Sequence, residues 1–372
     1  MTTSFDFAVV GAGIAGISLA ARLAAHGGVL VLEREGQPGS HRTGRSAAMF
    51  MESYGPPQVR ALSRASRAAY LSPELPPILS PRGALYVAWQ GQEGLLGAMA
   101  APGLQRLDAG ETLARVPVLR AEGLIGALAE PDAMDIDVHA LLQGELAHAR
   151  QLGAQLWANA EVLSGQRSAA GWTLRLADGR EVQAGAVINA AGAWADTLAL
   201  AAGVAPLGLQ PCRRSAFTFD APAGIDHRGW PAVCGADESW YFKPDAGQLL
   251  GSPANAEPVA AHDVLPEALD IAQGIANIEQ RTTLTIRRPG RTWAGLRTFS
   301  PDGEMVIGFD TGAPGFFWLA GQGGYGIQSA AGAALLAESL IVGAPLPEPL
   351  VRERVDVAAL SPARFSRVSR QR

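Results

Sequence analysis

The chain begins with a short apolar run, residues 5–10, that passes directly into Gly11-Ala12-Gly13-Ile14-Ala15-Gly16 and then into an alanine-rich stretch reaching His26. A second apolar run follows at residues 29–32. Short apolar runs bounded by turn residues predict buried strands, and the longer stretch between them predicts a crossover helix. Further on, residues 172–176 and 181–183 flank Asp178-Gly179, a dipeptide suited to a tight hairpin because both residues tolerate positive φ. Residues 186–189 then read as another strand, running into Ala190-Ala191-Gly192-Ala193-Trp194. The small side chains there permit a close backbone approach before a helix begins.

The middle third changes character. Residues 214–219, 240–243 and 248–250 read as strands, the last two joined by a turn at Asp245-Ala246-Gly247, and together they predict an antiparallel sheet. Near the end, residues 316–319 form a buried-type strand, after which Gly321-Gln322-Gly323-Gly324-Tyr325-Gly326 opens a helix to about Ile341. Nucleotide-type segments therefore flank a β-rich middle. The expected fold is α/β (α+β overall): a Rossmann-like domain and an antiparallel-sheet domain, sharing the chain discontinuously.

With 372 residues the chain is long enough for one large or two ordinary domains, each able to bury a core, which favours an enzyme over a binding module. Charged residues make up 17% and the net charge is -5, so the basic footprint of a nucleic-acid binder is missing. Only the tail, with Arg364, Arg367, Arg370 and Arg372, is locally basic, and it reads as a polar terminus. Cys212 and Cys234 make neither a disulfide framework nor a pair with metal-ligand spacing, so a reducing compartment and no metal are expected. Asp6 precedes the apolar stretch at residues 7–21 and no positive residue does, unlike a signal peptide. That stretch is also too short to span a bilayer, and residues 327–342 carry Glu338. A soluble, cytoplasmic protein without an integral membrane segment is expected.

A G-x-G-x-x-G motif is weak alone among 44 glycines. Its context strengthens it, because it follows a strand, opens a helix and is followed by Glu33 at the end of the second strand. Gly11 allows the tight turn, Gly13 the approach of a pyrophosphate, and Gly16 the packing of helix on strand. Glu33 suits a free ribose hydroxyl rather than a 2′-phosphate, pointing away from NADP. The motif leaves FAD and NAD both open.

The run 11–16, Glu33-Arg34, Thr43-Gly44-Arg45-Ser46-Ala47-Ala48, Asn189-Ala190-Ala191-Gly192-Ala193-Trp194 and Gly321-Gln322-Gly323-Gly324-Tyr325-Gly326-Ile327-Gln328 together resemble the D-amino acid oxidase-type flavoprotein family. Within it the chain is most similar to the FAD-dependent D-arginine and D-amino acid dehydrogenases, over nearly its whole length. The resemblance implies FAD in a domain built from 1–82, 133–207 and 300–372, with a substrate domain from 83–132 and 208–299 roofing the flavin. It implies cofactor contacts from Gly11, Gly13, Ile14, Ala15 and Gly16, and from Glu33 and Arg34. Further contacts come from His41, Thr43, Gly44, Arg45, Ser46 and Ala47, from Ala191, Gly192 and Trp194, and from Gly323, Gly324, Tyr325, Gly326, Ile327 and Gln328. Covalent relatives attach flavin through a cysteine near the last glycine loop, and this loop has none, so the FAD is expected to be non-covalent. A helix N-terminus behind that loop would favour the negative charge of a reduced ring.

A buried substrate carboxylate needs paired cations. Arg214 and Arg297 match the family's carboxylate-binding arginines. Arg213 and Arg214 are adjacent on a strand and face opposite ways. Tyr241 and Tyr54 match tyrosines placed against the substrate, and Gln328 matches a position near both cofactor and substrate. His41 is given no catalytic role.

Two departures bear on specificity. The family's glutamate for a basic side chain, after Ser80-Pro81-Arg82, is Ala84 here, and a histidine of the active-site loop is Met49, with Met51 nearby. The pocket is therefore expected to take apolar or a broad range of D-amino acids rather than D-arginine or D-lysine.

The implied reaction is hydride transfer from the α-carbon to flavin N5, giving an imino acid that hydrolyses to a 2-oxo acid and ammonia. Electrons would pass to an external acceptor, a quinone or similar. A glycine or N-methyl amino acid oxidase, a flavin-dependent 2-hydroxy acid dehydrogenase and a non-catalytic FAD scaffold subunit remain alternatives, as does oxygen as acceptor.

Overall fold

A computed structural model describes residues 3–73 and 76–365; Arg367, Arg370 and Arg372 of the basic tail lie outside them. The central strand Thr3–Val10 pairs in parallel with Val29–Leu32 on one edge and with Glu181–Asn189 on the other. All four residues of Val29–Leu32 are buried, as expected for a parallel strand covered on both faces. One face carries the helices Ile14–Leu23, Pro57–Tyr70, Val138–Gln151 and Ala330–Val342. The other face packs beneath Trp172, Leu174, Leu198 and Val204.

Glu181–Asn189 is one continuous strand rather than the two separate runs that the pattern suggested. Thr3–Val10 follows one edge of it throughout. The other edge is shared: Gly171–Leu176 pairs antiparallel with its first half and Phe316–Ala320 parallel with its end. The hairpin turn also differs from expectation. Gly179 has φ +86° but Asp178 is not left-handed, and Leu176 donates to the Arg180 carbonyl at 2.9 Å. That is a longer loop with glycine at its left-handed position, which spares aspartate the strain of positive φ.

The second sheet has nine strands and is antiparallel except where Ala84–Trp89 runs parallel to Ala232–Gly235. Its long pair is Gln210–Phe219 with Thr292–Phe299, in a register that sets Cys212 opposite Arg297 and Arg214 opposite Gly295. Because side chains alternate, Arg214 and Arg297 become diagonal neighbours on one face. Arg213 faces the other way, where it donates to Asp270 at 2.8 Å on the helix Ala268–Arg281. The last helix begins at Ala330, later than expected, because residues 323–329 form turns. Gln328 therefore precedes that helix. Among the described residues no helix is long and apolar enough to cross a membrane.

Candidate functional site

The glycine turn and the second strand end at one cleft of about 360 Å³, within the usual range for small-molecule sites. Gly11 has φ +109°, and a Cβ there would lie 2.4 Å from the Ala190 carbonyl oxygen. No other residue fits this contact between the turn and the loop after Asn189. Gly16 stays off the cleft wall and lets the helix close on the strand, since its Cβ would lie 2.0 Å from the Gly11 oxygen. The Glu33 carboxylate is buried and faces the cleft. Its two oxygens accept the Ala12 N–H at 2.8 Å and the Glu35 N–H at 2.9 Å, which fixes the acid before any ribose arrives.

Thr43 Oγ accepts the Ile14 N–H at 3.1 Å and so ties the 3-10 turn Thr43–Arg45 to the helix start. Beside Glu33, the Arg34 guanidinium lies 4.9 Å over the Trp194 ring, and His41 tilts against the same ring at 4.7 Å. His41 also bonds to Glu35 at 2.9 Å. Ala15, Ala191 and Gly192 complete this end of the wall. Ser46, Gly323, Gly324, Gly326 and Ile327 line the other end. Arg45 lines the cleft but commits its guanidinium to Asp263 at 2.6 Å and to the Val264 and Ala294 carbonyls at 3.1 Å. Gly44 is occupied with Gly39, donating to its carbonyl at 2.9 Å, and Tyr325 packs edge-on against Tyr54, 5.0 Å between centroids.

A smaller pocket of about 120 Å³ adjoins the cleft and shares Arg42, Ser46, Gly324 and Ile327 with it. Arg214, Arg297, Tyr54 and Tyr241 meet there, with Ala47, Met49, Met51 and Gln328 also on its wall. Ala84 does not reach the pocket; it is buried in its strand. Arg297 donates to Tyr54 Oη at 3.3 Å and its Nε has no partner. Gly324 makes room for this guanidinium, because a Cβ there would lie 2.6 Å from Arg297 Nη1. Arg214 Nε is held by the Asn255 carbonyl, which leaves its terminal nitrogens to the pocket.

Gln328 acts on the substrate side through the loop before the helix Pro57–Tyr70. It donates to the carbonyls of Met51 at 3.1 Å and Tyr54 at 3.2 Å and to Ser63 Oγ at 2.9 Å. Glu130 holds the same loop from the other side, accepting the Glu52 N–H at 2.7 Å and the Ser53 N–H at 3.2 Å. Burial pushes the Glu130 carboxyl above its ordinary value.

Sequence reasoning missed two charged residues on this wall, Arg42 and Glu238. Burial, and then the neighbouring Arg297, push Arg42 down to about 9 and Arg214 down to about 10. No local pattern marks Arg42, which precedes the turn Thr43–Arg45 and takes a different course from Arg45. Glu238 stands in a left-handed turn, φ +55°, for which no local pattern gave a signal. The wall is thus less apolar than Met49 and Met51 led us to expect.

A turn stripped of side chains, an acid fixed at the second strand's end and a long cleft opening onto a cationic pocket suit a dinucleotide cofactor whose reactive end reaches the pocket. The family model described as DAO, FAD dependent oxidoreductase, matches residues 6–339. L-proline dehydrogenase from P. horikoshii superposes with a TM-score of 0.79 at 21% identity, covering 99% of each chain. Glycine oxidase from Geobacillus kaustophilus does so with a TM-score of 0.80 at 23% identity, over 97% of this chain and 98% of that one. L-alpha-glycerophosphate oxidase from Mycoplasma pneumoniae, with FAD bound, gives a TM-score of 0.81 at 18% identity, over 92% and 95%. At these identities the three share the fold.

Proposed function

Since the chain belongs to the DAO family and is an FAD-dependent oxidoreductase, we propose that it oxidises the amine-bearing carbon of amino acids, with D-amino acids as its substrates. The observation that carries this reading is the pair Arg214 and Arg297 on one face of the second sheet, over a pocket continuous with the cofactor cleft. Two guanidiniums that make no ion pair among the described residues suit a carboxylate, and the unpartnered Arg297 Nε supports this.

When bound, FAD supplies the acceptor for the hydride that leaves the α-carbon. The residues of the chain position and desolvate the substrate. Arg214 and Arg297 anchor the carboxylate, and Tyr54, fixed by Arg297 and by the Gln328 clamp, narrows the orientations left to the α-carbon. Among the described residues no histidine lines the small pocket, so the amine enters neutral or passes its proton to water or to the tyrosine hydroxyls. The imino acid product then hydrolyses to a 2-oxo acid and ammonia.

Three guanidiniums against the single carboxylate of Glu238 oppose a cationic side chain, which supports poor use of D-arginine and D-lysine. The wall of Met49, Met51 and Ile327 supports a broad range of other side chains. We assign residues 1–82, 133–207 and 300–372 to the FAD domain, 83–132 and 208–299 to the substrate domain, and a quinone-type molecule as electron acceptor.

A second reading, a glycine or N-methyl amino acid oxidase, is favoured by the small volume of the pocket, about 120 Å³. Steady-state rates with both enantiomers of alanine and leucine, D-arginine, glycine, sarcosine and D-lactate, each with a quinone and with air, test the proposal. We expect the D-amino acids to win with the quinone. Faster turnover of sarcosine would replace the reading by the second, and turnover of D-lactate alone would overturn both.

A further inference from the structure

We propose that Arg42 is a specificity-determining residue that offers a third guanidinium to a second carboxylate, so that dicarboxylic amino acids are preferred over their neutral isosteres. The inference rests on the amino acid chemistry proposed above and narrows its substrate class.

Arg42 immediately precedes the turn Thr43–Arg45. Arg45 spends its charge on Asp263, whereas among the described residues the Arg42 side chain donates only to the Arg45 carbonyl, at 3.2 Å. The route of the Arg42 side chain is set by a gap in the second sheet. Its Cδ stands 3.3 Å from where a Cβ on Gly295 would be, and Gly295 is the residue opposite Arg214 in the strand register. The missing side chain of Gly295 therefore leads Arg42 to the face that carries Arg214 and Arg297.

Among the described residues, none of the three arginines forms an ion pair with a carboxylate. The one carboxyl side chain on the pocket wall is Glu238, and it is exposed. Confined cations that repel one another favour an anionic guest. A monocarboxylic amino acid brings one negative charge and, with its ammonium, a positive one. A dicarboxylic amino acid brings two negative charges, which three guanidiniums match better. The apolar Met49, Met51 and Ile327 leave a place for the methylenes between the two carboxylates.

Because Arg42 also borders the cofactor cleft, its alternative role is to hold FAD. The experiment compares kcat/KM for aspartate with asparagine and for glutamate with glutamine, as both enantiomers, in the holoenzyme and in Arg42→Gln. Each pair differs in charge at nearly constant shape. We expect the acid to lead its amide by about tenfold or more, and Arg42→Gln to collapse that ratio, chiefly through KM, with full flavin content. A wild-type preference for the amide, an equal loss on acid and amide, or loss of flavin from Arg42→Gln would overturn the proposal.

If Arg42→Gln does not fold, the wild-type holoenzyme still decides. Succinate should perturb the flavin spectrum at lower concentration than propionate, and equal concentrations would contradict the inference. Failure of every amino acid to reduce the flavin would instead reject the amino acid chemistry, which the succinate titration does not require.

Discussion

Arg214 and Arg297 lie diagonally on one sheet face, and each presents a planar fork that a carboxylate can meet with two hydrogen bonds. Lysine would keep the charge but not the fork. Arg214→Lys and Arg297→Lys should each lower kcat/KM roughly 10- to 100-fold while the purified protein keeps its yellow colour, and an unchanged kcat/KM would remove the carboxylate role. Gly324→Ala would push a methyl group into Arg297, whose Nη1 lies 2.6 Å from the added carbon. A raised KM is expected there. At this scale the sequence was informative where alternation decides, as with Arg213 against Arg214. It was silent on Arg42, whose direction depends on an absent side chain at Gly295, more than 200 residues away.

The loop carrying Met51 and Tyr54 is held by Gln328 on one side and Glu130 on the other. Gln328→Ala removes one donor from the Met51 and Tyr54 carbonyls and from Ser63 Oγ at once, so a loss of about 1–3 kcal/mol of stability is expected, with a higher KM as Tyr54 loosens. Thermal melting and steady-state kinetics check the pair of effects. Glu130 adds a pH signature. Its carboxyl is raised above 4.5 by burial, so the folded state favours the protonated form. The stability tied to that proton is complete below 4.5 and is lost as pH rises through the raised value. The melting temperature of the wild type should therefore fall relative to that of Glu130→Gln over this rise, and parallel curves would contradict the assignment.

Elements were legible where apolar runs are local, as in Val29–Leu32 and Phe316–Ala320. Their exact extents were not. Glu181–Asn189 looked broken because its edge changes partner midway, and the last helix looked early because the turns at 323–329 share its glycine-rich, apolar composition.

At the scale of the molecule, the two sheets interleave along the chain, and the functional pocket forms where strands of the second sheet lie over the end of the cofactor cleft. The order of nucleotide-type and β-rich segments made this architecture readable. The pairing of Gln210–Phe219 with Thr292–Phe299 was not readable, since a long-range antiparallel register leaves no trace in either strand alone. The described cleft walls hold no cysteine, and we expect the FAD to dissociate: acid precipitation should leave a colourless pellet and a yellow supernatant.

The central claim is that this FAD-dependent oxidoreductase takes electrons from the amine-bearing carbon of an amino acid anchored by Arg214 and Arg297. Anaerobic titration of the purified holoenzyme with D- and L-enantiomers of aspartate and leucine, with D-lactate as control, reads it directly in the visible absorbance of oxidised flavin. Bleaching by the D-amino acids, slower in Arg297→Lys by the same roughly 10- to 100-fold at matched concentrations and absent with D-lactate, is the predicted result. Bleaching by D-lactate with none from any amino acid would contradict the account.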